Sequence, residues 1–246
     1  MVRHSKNPLA KSKITDYYGN VRGDIVTVVR NAGIKARNVI EIGCGAATTA
    51  PSMRQTVGAT RYVGVELMAK AAEKARVNLD EVHVADVEKV LPSSLGLHEN
   101  EFDLLLAIDV LEHLIDPWDS LARWVKLLRP GGYAVVSVPN VQNISLISNL
   151  LQGNWEYASE GLLDATHLRF FTLDSLATLV TGAGLSINTL NAVPGPIIDM
   201  TQVKETGNSV NIDKLHINGL TRKQMASLFT FQYIMTAQRP SGQMVA

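Results

Sequence analysis

The chain has 246 residues, 46% apolar and 19% charged, which suits one large domain and excludes a disordered or fibrous protein. Lys plus Arg and Asp plus Glu each number 23, so the formal net charge is zero and the basic excess of a nucleic-acid binder is missing. The single cysteine, Cys44, rules out an intramolecular disulfide or a cysteine-rich metal centre, and no metal site is expected.

Residues 1–15 carry Arg3, Lys6, Lys11 and Lys13 and no acid. Residues 1–18 read as a flexible solvated tail, or as a flap that orders over an acidic substrate. This start has no apolar core to serve as a secretory signal. No run approaches ~18 apolar residues, so no membrane contact and a cytoplasmic location are expected. Residues 19–246 read as a single domain. A helical pattern lies within 19–32, with Ile25, Val28 and Val29 on one face. Short apolar runs at 38–42, 62–65, 82–85, 102–108 and 133–138 predict strands buried on both faces. Helices are predicted between them at 48–57 and 69–77.

The plainest helix starts after Asp116, which can cap it, with Pro117 at its first position. Leu121, Trp124, Val125 and Leu128 form its apolar stripe, and Pro130-Gly131-Gly132 is expected to stop it. Asn143 can cap a short helix through Leu151, and Thr172 caps one over 173–182. Strand then helix, repeated, predicts an α/β fold with a parallel sheet. Runs at 185–193 and 229–237 read as strands without a crossover helix between them. The lid segment 141–171 should cover the site. The insertion 194–228 is a second lid element or a homodimer contact.

The chemistry concentrates at strand ends. The first strand runs into Glu41-Ile42-Gly43-Cys44-Gly45-Ala46-Ala47, a turn that lets a ligand approach the backbone. The nicotinamide fingerprint is only partly matched, because Thr48 stands at its third glycine. Glu66 follows Gly45 by 21 positions, at the end of the second strand, where a carboxylate can accept from ribose hydroxyls. Asp86 ends the third strand and can accept from an adenine amine. Each acid alone could be a cap or a turn residue.

Together the stretches VIEIGCGAA, YVGVE, VHVADVE, FDLLLAIDVLEHLIDPW and LLRPGGYAVVSVPN resemble class I S-adenosylmethionine (SAM)-dependent methyltransferases across residues 38–140. GLLDATHLRFFTLDSLATLVTGAGL extends the likeness to about 185, toward sugar and secondary-metabolite enzymes. The resemblance implies a Rossmann-like, seven-stranded, mostly parallel sheet with an antiparallel last strand and helices on both faces. It implies SAM as cofactor. Glu41 and Gly43, Cys44 and Gly45 would hold the methionine end, Glu66 the ribose, and Asp86 with the Val87 backbone the adenine. Asp109 would face the methionine ammonium or the transferring methyl. Ala47 departs from the pattern, where the family often has a third glycine.

A hydroxyl acceptor needs a proton acceptor, and His113 and His167 are the candidates. Their other reading is structural, a hydrogen bond for His113 and a lid pin for His167. Arg169 could bind an anion or pair with Asp164 or Glu160. Trp155 and Tyr157 could stack on an acceptor or pack the lid. Cys44 reads as a small buried residue rather than a nucleophile. The resemblance predicts methyl transfer to a small-molecule acceptor, most often a sugar or natural-product hydroxyl. An amine acceptor, a non-catalytic scaffold and a nicotinamide oxidoreductase are the competing readings. DNA as acceptor is disfavoured, since no Pro-Pro-aromatic run follows the fourth strand.

Overall fold

In the computed structural model, residues 21–195, 203–212 and 215–242 are described; the tail expected over 1–18 lies outside them. The five predicted strands form, as β1 Asn38–Ile42, β2 Arg61–Glu66, β3 Glu81–Val84, β4 Phe102–Ile108 and β5 Leu128–Pro139. With β6 (Ser186–Pro194) and β10 (Thr230–Gln238) they make a seven-stranded sheet of order β3-β2-β1-β4-β5-β10-β6. β1 through β5 pair in parallel, and β10 runs antiparallel to both β5 and β6. A hairpin-like return therefore takes the place of a crossover helix between the last two strands of this sheet.

The apolar runs of β1, β2, β4 and β5 are buried on both faces because each face carries helices; β3, an edge strand, is the exception, with Val82 buried and Val84 exposed. One apolar cluster joins Ile40, Ile42, Leu105 and Val136 to Trp124 of α4 (Pro117–Val125) and Leu176 and Leu179 of α6 (Leu173–Gly182). The other joins Val39, Leu104 and Leu106 to Ile25 and Val29 of α1 (Gly23–Asn31). It also takes in Met53 of α2 (Ala50–Val57) and Ala72 of α3 (Ala69–Ala75). The caps read from sequence are made: Asp116 accepts from Asp119 N–H at 3.0 Å, and Asn143 from Ser145 N–H at 3.0 Å at the head of α5 (Ile144–Leu151). Thr172 forms a capping box with Ser175.

At the end of α4 two sequence expectations fail. α4 ends at Val125, so Leu128 belongs to β5 and not to the helix stripe. Pro130-Gly131-Gly132 do not stop α4; they lie within β5, where the pairing with β4 shifts register and Gly131 N–H donates to Arg239 C=O at 2.8 Å. Backbone pairing to neighbouring strands there overrides the turn signal of the residues.

The insertion folds into a small antiparallel sheet, β7 Val203–Thr206, β8 Ser209–Ile212 and β9 Leu215–Ile217, followed by α7 Arg222–Phe229. Phe229 closes α7 and does not open the last strand. Val210 and Leu228 pack with Ile144 of α5, joined by Ile147, Met225 and Phe229. Asn140 donates to the carbonyls of Ser227 (2.7 Å) and Thr230 (2.8 Å), which ties the end of β5 to the end of α7.

The order places β1 between β2 and β4. The chain leaves β1 toward one edge and resumes at β4 toward the other. A crevice must open where the carboxyl ends of β1 and β4 diverge.

Candidate functional site

The turn after β1 has left-handed backbone at Gly43 (φ 66°), Gly45 (φ 55°) and Ala47 (φ 52°). A Cβ on Gly43 would stand 2.6 Å from Val110 Cγ2, so the position has no room for a side chain. Ala47 explains itself: its backbone is one that glycine adopts freely and that costs alanine roughly 1 kcal/mol. Gly43 and Cys44 N–H both donate to Val65 C=O, at 2.8 and 3.2 Å. Glu66 locks the same turn, accepting from Gly45 N–H at 2.9 Å and Met68 N–H at 2.7 Å. The buried Glu66 carboxylate thus couples the glycine turn to the end of β2.

The crevice is a cleft of about 230 Å³, walled by Glu41, Gly43, Cys44, Gly45, Asp109 and Arg22 among others. Glu160 of the lid segment reaches the same cleft. Burial, opposed by a hydrogen bond from Tyr62 Oη (2.6 Å) and reinforced by Glu66, pushes the Glu41 carboxyl up to about 7. Burial and then Glu41 and Glu66 push the Cys44 thiol upward as well, so at neutral pH it stays a thiol and not a nucleophile.

Asp109 follows β4 with φ 52°, a strained place for a residue other than glycine. Among the described residues, three partners hold its carboxylate. Ser137 Oγ donates at 2.6 Å, Gln232 Nε2 donates from β10, and the Arg22 guanidinium forms an ion pair with it. Arg22 also bonds Gln232 Oε1 and Asp24, each at 2.7 Å. Asp86 and Val87 stand outside the cleft lining. Burial opposes ionisation of Asp86, but the Lys89 ammonium and Glu88 N–H outweigh it and hold the carboxyl below its usual range. Val87 C=O accepts from Trp124 Nε1 at 3.0 Å. A separate hollow of about 460 Å³, lined by Glu88, Asp119 and Arg123 among others, shares no lining residue with the cleft. Its arginine is already held by Asp119 and the carbonyls of Glu88 and Val90.

A second cluster follows Asp109 in the chain, on the 3₁₀ turn Leu111–His113. His113 Nδ1 meets Thr166 C=O at 3.1 Å, and His167 Nδ1 meets Leu162 C=O at 3.2 Å. A carbonyl only accepts, so these contacts call for a proton on Nδ1, and a neutral ring in that tautomer keeps its lone pair on Nε2; Thr166 Oγ1 also meets His113 Nδ1 at 3.1 Å. The ring centroids are 4.8 Å apart, edge to face. Glu112 lies beside them, 1% exposed, and its two carboxyl oxygens have no hydrogen-bond partner among the described residues. Burial first, and then the charge of Asp109, hold this carboxyl well above the usual range. Glu112, His113 and His167 place one ligand atom each within 4.8 Å of one another, so the group has the spacing to hold a metal ion.

The lid is pinned here by backbone. Leu168 and Arg169 N–H donate to Glu112 C=O at 2.8 and 3.0 Å. Arg169 gives its guanidinium N–H groups to the carbonyls of Leu168 and Ile115, not to Asp164 or Glu160. Trp155 packs on Phe170, centroids 5.7 Å apart, while Tyr157 is exposed. The cleft therefore brings together Glu41, the glycine turn and Asp109; Glu66 braces the turn from outside the cleft lining, and His113 and His167 form their own cluster. Arg22, Tyr62, Ser137 and Gln232 escaped the sequence reading, because no local motif marks them.

This fold with this cleft defines a class I, Rossmann-like SAM-dependent methyltransferase. The chain belongs to the methyltransferase-domain family, which matches residues 19–190. It is 30% identical over 194 residues to a ubiquinone biosynthesis O-methyltransferase of Aromatoleum aromaticum, covering 76% of this chain and 79% of that one. Its counterpart in Thiobacillus denitrificans is 31% identical over 166 residues, covering 66% and 70%. The fold resembles a SAM-dependent methyltransferase of Thermotoga maritima, a possible histamine N-methyltransferase (TM-score 0.61, 15% identity, 94% and 99% covered). It also resembles the Burkholderia thailandensis 1,6-didemethyltoxoflavin-N1-methyltransferase, solved with S-adenosylhomocysteine (SAH) (TM-score 0.58, 19% identity, 94% and 85% covered). The enzyme uses SAM, and the oxidoreductase and scaffold readings fall. The residues fit that cofactor: a turn with no room for a side chain at Gly43 lets a ligand approach the backbone, and the acids Glu41 and Asp109 on the cleft wall complement its cationic groups. Among the described residues no helix is long and apolar enough to cross a membrane.

Proposed function

We propose that this methyltransferase acts on a hydroxyl of a small molecule, a sugar or other natural product, in the cytoplasm. When bound, SAM supplies an electrophilic methyl group on a sulfonium that departs as a neutral thioether. The chain's part is placement and proton transfer. Asp109 and Glu41 take the methionine ammonium, Arg22 takes the methionine carboxylate, and Glu66 takes the ribose. Asp86 and the Val87 backbone take the adenine. His113 or His167 accepts the hydroxyl proton.

The observation that carries the hydroxyl is the paired imidazoles whose Nδ1 atoms face carbonyls, since that tautomer puts the basic lone pair on Nε2. An amine acceptor has less need of it. The relatives named for ubiquinone biosynthesis support O-methylation and add the hydroxylated intermediates of that route to the acceptors worth testing. The lid segment 141–171 caps the site through Glu160, and the insertion turns its apolar side to lid helix α5, which favours a lid role over a homodimer contact.

A second reading rests on Glu112. A buried carboxyl without a hydrogen-bond partner beside two imidazoles suits a divalent cation, which would polarise the acceptor oxygen. The test is mass-spectrometric detection of methyl transfer from SAM to hydroxylated sugars, phenols, ubiquinone-route intermediates and amines, with and without EDTA. Methylated oxygen is the expected product. Methylation of amines alone would overturn the reading. Turnover lost in EDTA and restored by a divalent cation would favour the second.

A further inference from the structure

Tyr62 has no role in the account so far, yet it shares the wall of the cofactor cleft with Glu41. It stands on β2 in register with Val39 of β1, two residues before Glu41, so both side chains leave the sheet on the same face. Its ring is fully buried, and its hydroxyl donates to Glu41 Oε2 at 2.6 Å. Burial and the neighbouring Glu41 hold the Tyr62 hydroxyl well above its usual range, so it remains the donor. One strong bond thus fixes the mostly buried carboxyl of Glu41 where it lines the cleft.

Such a carboxyl prefers to hold a proton until a cation arrives. A ligand ammonium or sulfonium in the cleft favours the ionised form, and the proton must then leave. We propose that Tyr62 is a positioning residue for Glu41, and that the Tyr62–Glu41 pair makes binding of the cationic cofactor release a proton. This rests on the reading of the cleft as the cofactor site. The midpoint should lie near the value of about 7 set by burial, the Tyr62 bond and Glu66.

The charged and titratable groups around Glu41 are few. Tyr62 and Glu66 face it from β2, and Cys44 from the turn. Arg54 of α2 lies over the Tyr62 ring at 5.9 Å. Arg22, Asp109 and Glu160 stand elsewhere on the cleft wall.

The test is calorimetric titration with SAH from pH 5.5 to 8.5, in buffers of different ionisation enthalpy. Wild-type affinity should rise about 10- to 30-fold with pH, with close to one proton released at the acid end. Glu41→Gln should remove both effects while leaving any contribution of His113 and His167 in place. Tyr62→Phe withdraws the bond that favours the carboxylate, so its midpoint should move up by about one pH unit. At pH 7 it should bind roughly 5-fold more weakly than wild type, and at pH 8.5 equally well. A structural defect alone would not be rescued by pH. Wild-type binding that is independent of pH, or a Tyr62→Phe midpoint that does not move, overturns the proposal alone. No SAH binding at any pH overturns the cleft reading with it.

Discussion

Asp109→Ala should weaken SAH binding by about 100- to 1000-fold, roughly 3–4 kcal/mol, as for loss of one partner in a buried, hydrogen-bonded charge pair. Asp109 is where β4, β5, β10 and the residue before α1 converge on the cleft, through Ser137, Gln232 and Arg22. Without its carboxylate the methionine ammonium loses an anionic partner, and Arg22 keeps only Asp24 and Gln232. The positive φ adds a folding cost for alanine that asparagine largely avoids. Asp109→Asn is therefore the better-folded comparison and should show a smaller loss, about 10-fold. Calorimetric titration of each variant, after a thermal melt confirms folding, checks this. Near-wild-type affinity in Asp109→Ala would remove Asp109 from the cofactor site.

His167→Ala and His113→Ala should leave SAH affinity within about 3-fold of wild type and lower turnover by about 10²–10⁴-fold, the usual worth of a positioned general base. The two rings touch edge to face, each Nδ1 meets a carbonyl, and the Thr166 hydroxyl also meets His113. Removing either disturbs the other, so the losses should not add in the double variant. The residue that is only a support should recover activity when replaced by glutamine, which can still donate to the same carbonyl; the base itself should not. Wild-type turnover in both alanine variants would end the assignment.

The sheet was legible because strands buried on both faces must be nearly continuous in apolar residues. The runs ending in Ile42, Val65 and Ile108 are of that kind, whereas β3, at the sheet edge, buries only Val82. The caps at Asp116, Asn143 and Thr172 were legible because a capping side chain acts on N–H groups two or three residues away. The glycine turn and Glu66 were legible for the same local reason: the spacing that suggests the site is the spacing that builds it.

What sequence missed is non-local. Arg22 and Gln232 are 210 positions apart and meet only because β10 inserts between β5 and β6. Tyr62 looks like one more apolar strand residue until its hydroxyl is seen on Glu41. Glu112 reads as part of a common DVLEH run, and only the fold shows its carboxyl buried between the histidines and Asp109. The β7–β9 sheet escaped because its strands are three or four residues long and largely polar. The residues Pro130-Gly131-Gly132 misled for the opposite reason, since a strong local signal lost to strand pairing.

The account stands on the cleft between β1 and β4 holding the cofactor. Calorimetric titration of the purified wild-type protein with SAH at pH 8, with NADH as control, tests that most directly. Saturable binding of one SAH per chain and no heat with NADH is the predicted result. A folded protein that shows no saturable SAH binding, or that binds NADH instead, would contradict it.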